Sequence, residues 1–77
     1  MLIKSAIRIG ETIYIGKRHP NCIAEAIRAG EKAPITGTQG FIDEKGNFYN
    51  RELAAIYAFK IGQIKEKKKY LFSEDIF

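Results

Sequence analysis

Two short stretches carry the side chains with the most chemical potential. Gly16-Lys17-Arg18-His19 lies where an alternating segment gives way to a helix-start signal, and Asn50-Arg51-Glu52 opens the longest apolar run. A helix start presents free backbone amides and positive potential, and a guanidinium grips phosphate through two parallel hydrogen bonds. Phe41, Phe48 and Tyr49 lie near the second stretch and offer flat surfaces on which a base could stack. Arg18, His19, Phe41, Phe48, Asn50 and Arg51 are therefore the candidate ligand-binding residues. The same residues also fit a structural reading, with Arg51 paired to a carboxylate and the rings in the core. The residues alone leave the two open.

Catalytic chemistry has little to work with. His19 is the one histidine, with no serine near it and no carboxylate partner in the local sequence, so a nucleophilic triad has no support. No phosphate-binding P-loop, dinucleotide fingerprint or HExxH pattern is present. The carboxylate pair Asp43-Glu44 falls in a turn, where acidic residues serve conformation, and Glu74-Asp75 point apart if the chain there is extended. We expect no metal, no cofactor and no enzymatic activity. Cys22 is the one cysteine, which excludes an internal disulfide and a zinc site; its simplest reading is a small buried apolar group.

The elements that position these residues follow from periodicity. Isoleucines at 3, 7, 9, 13 and 15 alternate around Gly10-Glu11-Thr12, which predicts a β-hairpin over Ile3 to Lys17. A three-residue connection would gather the isoleucines on one face, and that register is expected. His19-Pro20-Asn21 starts a helix that ends at Gly30, with Asn21 or His19 as cap. Glu31 to Gly40 is a loop, either mobile or a plain connector. Gly40 to Tyr49 reads as a second, tighter hairpin turning at Gly46. Asn50 caps a helix over Arg51 to Ile61 that is apolar around most of its circumference, so something must cover the side the sheet does not. Lys65, Lys67, Lys68 and Lys69 then form a basic stretch, either a solvated linker or a strap over an anionic ligand. The apolar end, Tyr70 to Phe77, should dock on its own fold or on a neighbour.

The expected fold is one α+β domain over 1–77: a small antiparallel sheet, built from the N-terminal hairpin and a short second hairpin, packed with two helices and a docked C-terminal tail. Residues 65–77 supply the basic strap and apolar tail. The chain has 77 residues with 45% hydrophobic and 29% charged. A domain this short buries only about 60 to 65% of its unfolded surface, so self-association into a homo-oligomer, with tails crossing between subunits, is expected. Thirteen Lys and Arg against nine Asp and Glu give a net charge of +4, which favours an anionic partner but falls short of a nucleic-acid coater. No apolar run approaches a membrane span, and a cytoplasmic protein is expected.

The order of short motifs adds a resemblance. Gly16-Lys17-Arg18-His19, Gly40-Phe41, Gly46-Asn47-Phe48 with Asn50 to Ala55, Gly62-Gln63-Ile64 and Leu71 to Ile76 resemble the pattern G-x-R-H, G-F, G-x-F-x-x-R-x-E-A-A, G-Q-I and L-x-S-E-D-L of small phage and prophage proteins. Leu53 stands where that pattern has an acidic residue, and Ile76 where it has leucine. The chain thereby resembles the Thoeris anti-defence sponges, oligomeric binders that sequester cyclic ADP-ribose-type signals and, in some members, cyclic oligonucleotides. The resemblance implies a protein of the infected bacterial cytoplasm that holds a cyclic nucleotide signalling molecule without cleaving it. Arg18, Asn50 and Arg51 would contact phosphate or ribose, and Phe41 or Phe48 would stack. The alternative is a phage inhibitor that binds a host defence protein directly, such as an anti-CRISPR factor.

Overall fold

A computed structural model describes residues 1–77. The elements follow in the order β1 (Leu2–Ile9), β2 (Thr12–Gly16), α1 (His19–Arg28), β3 (Thr38–Asp43), β4 (Phe48–Asn50), α2 (Arg51–Lys60) and α3 (Ser73–Ile76). The strands form one antiparallel sheet in the order β2-β1-β3-β4. This is the α+β architecture expected from the sequence, with a short third helix added in the tail.

The first hairpin departs from the expected register. Ile9 pairs with Thr12, so only Gly10 and Glu11 form the turn. Gly10 has φ +61, the conformation a two-residue turn demands at its first central position, and such turns match the twist of the strands they join. The cost is a split isoleucine set. Ile7 pairs with Tyr14 on the helix-covered face and is 1% exposed, whereas Ile13 and Ile15, opposite Arg8 and Ala6, lie on the other face at 36% and 43%.

Both helices lie on the face that carries Ser5 and Phe41, which are register partners across β1 and β3. The edge of the His19 ring in α1 meets Phe41 at 5.1 Å between centroids. From α2, Ala54, Ala55 and Ala58 join Leu2, Phe41, Ile64 and Leu71 in the core cluster. Small alanines let the helix backbone approach the sheet closely. On the other side of α2 Leu53, Ile56 and Phe59 remain exposed, so no element of the chain covers the side that the sheet does not. The turn of the second hairpin is held by Asp43, whose carboxylate accepts from the Lys45 and Asn47 backbone N–H groups, Asn47 Nδ2 and the Tyr49 hydroxyl at 2.8 to 3.0 Å. Burial alone would raise the Asp43 pKa, but these bonds outweigh it and hold the carboxyl well below the usual range. Tyr49 in turn is pushed up to about 12 by its bond to Asp43 and by burial.

After α2 the chain turns at Gly62, with φ +79, and Gln63 pairs its amide with the Leu2 backbone, accepting at 2.9 Å and donating at 2.8 Å. The tail then docks on its own fold. Leu71 is fully buried, and its N–H donates to the Arg51 carbonyl at 3.1 Å. Ser73 reaches the start of α1, where its hydroxyl accepts from the His19 N–H at 3.0 Å and contacts Ser5 Oγ at 2.9 Å and His19 Nδ1. Three of the exposed lysines touch the fold: Lys68 pairs with Asp75 at 3.0 Å, and the Lys67 and Lys69 ammonium groups lie 5.7 and 5.5 Å from the ring centroids of Phe59 and Tyr70.

Ser73→Ala strips a partner from the His19 backbone, the His19 ring and Ser5 together. It should lower unfolding free energy by about 1–3 kcal/mol, measured by urea titration, whereas Glu74→Ala on the exposed side of α3 should leave the midpoint nearly unchanged.

Candidate functional site

The start of α2 is built by Asn50, an extended residue whose Oδ1 accepts from the Leu53 N–H at 2.9 Å. This cap leaves the Asn50 amide nitrogen available as a donor. Arg51 is the first helical residue, and its carbonyl anchors Leu71. Because side chains alternate along an extended segment, burying Leu71 turns Tyr70 and Phe72 outward on either side of it; they are 41% and 40% exposed. The two rings meet the helix start in an open depression of about 380 Å³ lined by Asn50, Arg51, Glu52, Tyr70 and Phe72. That volume is at the lower end of the range for small-molecule sites.

Arg51 dominates the electrostatics of this depression. Its guanidinium carbon lies over the Phe72 ring at 4.7 Å from the centroid, a cation–π contact. Its Nε is buried and has no acceptor within the protein. A buried donor without an acceptor is costly, and the guanidinium as a whole, with no carboxylate paired to it, favours an anionic oxygen in the depression. Glu52 stands beside it as an acceptor for hydroxyl or amino hydrogens.

The remaining candidates sit elsewhere. Arg18 donates from Nε and Nη2 to the main-chain oxygen of Phe77 at 3.2 and 2.7 Å, so its guanidinium clasps the tail. His19 is 5% exposed and Phe41 fully buried; these two belong to the interior and do not line the depression. Phe48 lies near Arg8, whose guanidinium is 5.2 Å from its ring centroid. It shares its side of the sheet with Ile42, its register partner, and is not part of the depression. Of the six candidates the structure brings together Asn50 and Arg51. The flat surfaces come instead from Tyr70 and Phe72, which the sequence reading assigned only to a docking tail. Tyr70-Leu71-Phe72 is a continuous apolar run, so the sequence does not say which of the three is buried.

The burial of His19 sets its protonation. Nε2 lies 2.8 Å from the Gly40 carbonyl, an acceptor, so the proton sits on Nε2 and Nδ1 accepts from the Ser73 hydroxyl. Ser73 Oγ also receives the His19 N–H and lies 2.9 Å from Ser5 Oγ, whose hydroxyl donates to the Lys17 carbonyl at 3.1 Å. Burial is the largest influence on the His19 pKa and lowers it; the Gly40 bond opposes this, the nearby Arg51 charge lowers it further, and Glu74 opposes least. Burial likewise pushes the Cys22 thiol up to about 11, which keeps it an apolar core group as expected. No group of three His, Cys, Asp or Glu side chains is placed to hold a metal ion, and no helix is long and apolar enough to cross a membrane.

A family model described as phage T4 y16D protein matches residues 1–77. The chain belongs to the phage T4 y16D protein family. Its description states a phage protein and no activity, so the likeness to Thoeris sponges rests on the motifs alone. No curated protein and no solved structure matches the chain. For this family member, Gln63 of the Gly62-Gln63-Ile64 motif and Ser73 of the tail motif have structural duties visible in the fold, as do Arg18 and His19.

A neutral buried imidazole makes stability depend on acid. The folded pKa of His19 lies below its ordinary value of 6.5, so between those two values the unfolded chain binds the extra proton. Stability is therefore full above about pH 6.5 and falls as pH drops through the folded pKa. Urea midpoints measured from about pH 8 to about pH 5 should show this slope, and His19→Gln should flatten it while lowering the plateau.

Proposed function

We propose that this phage protein binds a small anionic nucleotide in the depression at the start of α2 and sequesters it without breaking a bond. The observation that carries the reading is the Arg51 guanidinium, which lies over Phe72 at the depression and has no carboxylate partner in the fold. A phosphate in the depression would meet the positive charge of the guanidinium, with the first amides of α2 and the Asn50 amide at hand. Tyr70 offers a partly exposed ring for a base, and Glu52 an acceptor for ribose hydroxyls or a base amino group. The ligand class is the one the motif resemblance implies, a cyclic ADP-ribose-type signal or a cyclic oligonucleotide, encountered in the cytoplasm of an infected bacterium. Sequestration without cleavage is supported by the state of the single imidazole, which is buried with both ring nitrogens engaged. A nucleic-acid coat is disfavoured because Lys67, Lys68 and Lys69 already have partners in the fold.

Calorimetry with a panel of cyclic nucleotides tests this. Arg51→Ala should weaken binding by about 1.5–3 kcal/mol, roughly ten- to a hundredfold, and Arg51→Lys nearly as much, because an ammonium cannot reproduce the fork. Tyr70→Ala should cost about 1–3 kcal/mol of stacking. Nucleotide recovered from heat-denatured protein should chromatograph unchanged. A folded Arg51→Ala that binds like the parent removes the site, and recovery of a cleaved product removes the function.

A further inference from the structure

The outer side of α2 carries an apolar stripe that the chain leaves uncovered. Leu53, Ile56 and Phe59 are 55%, 63% and 37% exposed. Exposed Glu52 and Lys60 stand at its two ends. At the helical angle of about 100° per residue, all five fall within about 120° of arc with Ile56 in the middle. Beside the second half of the stripe runs a groove of about 420 Å³ lined by Ala55, Ile56, Phe59, Lys60, Lys67 and Lys68.

The order of these residues is self-complementary. In an antiparallel pair of α2 helices related by a two-fold axis at Ile56, Ile56 meets itself, Leu53 stands level with Phe59 of the other copy, and Glu52 stands level with Lys60. Each apolar residue then faces apolar surface and each carboxylate has an ammonium within reach of its side chain, twice by symmetry. A parallel pair would set Glu52 against Glu52 and Lys60 against Lys60. We propose that this face joins two copies of the chain through an antiparallel α2 pair centred on Ile56. The charge order selects a second copy over other occupants. An anionic membrane would attract Lys60, Lys67 and Lys68 but repel Glu52, and an acidic peptide meets the same conflict at one end of the stripe.

The pairing also bears on the depression at the start of α2. Glu52 lines that depression beside Arg51; in the pair Lys60 of the other copy comes level with Glu52 and so brings a second positive charge to the rim of the depression. This second consequence rests on the proposed nucleotide binding, whereas the pairing itself does not.

Sedimentation equilibrium of the full chain should give twice the 8.7 kDa chain mass. Ile56→Glu should give a folded monomer with the parent's circular-dichroism spectrum, since Ile56 is largely exposed. Glu52→Lys and Lys60→Glu should each weaken dimerisation about tenfold, and the double reversal should restore it. A monomeric parent overturns the pairing, and so does a dimer that survives Ile56→Glu or a double reversal no better than the singles. A monomeric parent that instead binds vesicles of anionic phospholipid, or an acidic peptide, overturns it as well. Calorimetry on the same samples separates the two ideas: a dimer that binds no cyclic nucleotide keeps the pairing and removes the proposed function, and a monomer that binds one does the reverse.

Discussion

The Ser73 hydroxyl and the Leu71 backbone together tie the starts of both long helices to the sheet. Ser73 Oγ takes the first free amide of α1 and meets Ser5 of the central strand, while the Leu71 N–H takes the Arg51 carbonyl at the first residue of α2. A helix start leaves amides that must find partners, and neither α1 nor its flanking residues supplies an oxygen for the His19 N–H. The oxygen comes from 54 residues away. In a domain with so small a core, each such closure is a large share of the margin that keeps the chain folded.

This docking also creates the depression. Threading Leu71 into the core forces Tyr70 and Phe72 outward, and the start of α2 stands beside them, so the walls and the cation arrive by one packing event. The same event buries His19 against Phe41 and keeps the imidazole neutral, which places only one positive side chain at the mouth of the depression from this side of the fold. Stability and the proposed binding are thus linked: losing the tail removes two walls of the site as well as the cap of α1.

α2 shows how one helix can answer two demands. Its alanines approach Phe41 and Leu2 closely, and the larger residues are left on the outside, where no element of the chain reaches them. An exposed row of Leu53, Ile56 and Phe59 is unfavourable in water for a protein of this size. Its end charges give that row a direction, and the direction is what an antiparallel copy can read.

Periodicity and turn residues determined much of this protein by themselves. The two hairpins, the helix that follows His19-Pro20, the Asn50 cap of α2 and the apolar character of Cys22 all follow from local conformational preference. So did the placement of Asn50 and Arg51 at an anion-friendly helix start, because capping and helix polarity act within a few residues. The tertiary structure decided what depends on long-range contact. It chose the two-residue turn at Gly10, since strand twist outweighed gathering the isoleucines on one face. It moved His19 and Phe41 into the interior, gave Arg18 to the Phe77 main chain, and set Phe48 near Arg8 and away from the depression. It also replaced the expected stacking rings with Tyr70 and Phe72. Those assignments turn on which side chains a tail tens of residues away covers, and local preference carries no information about that packing.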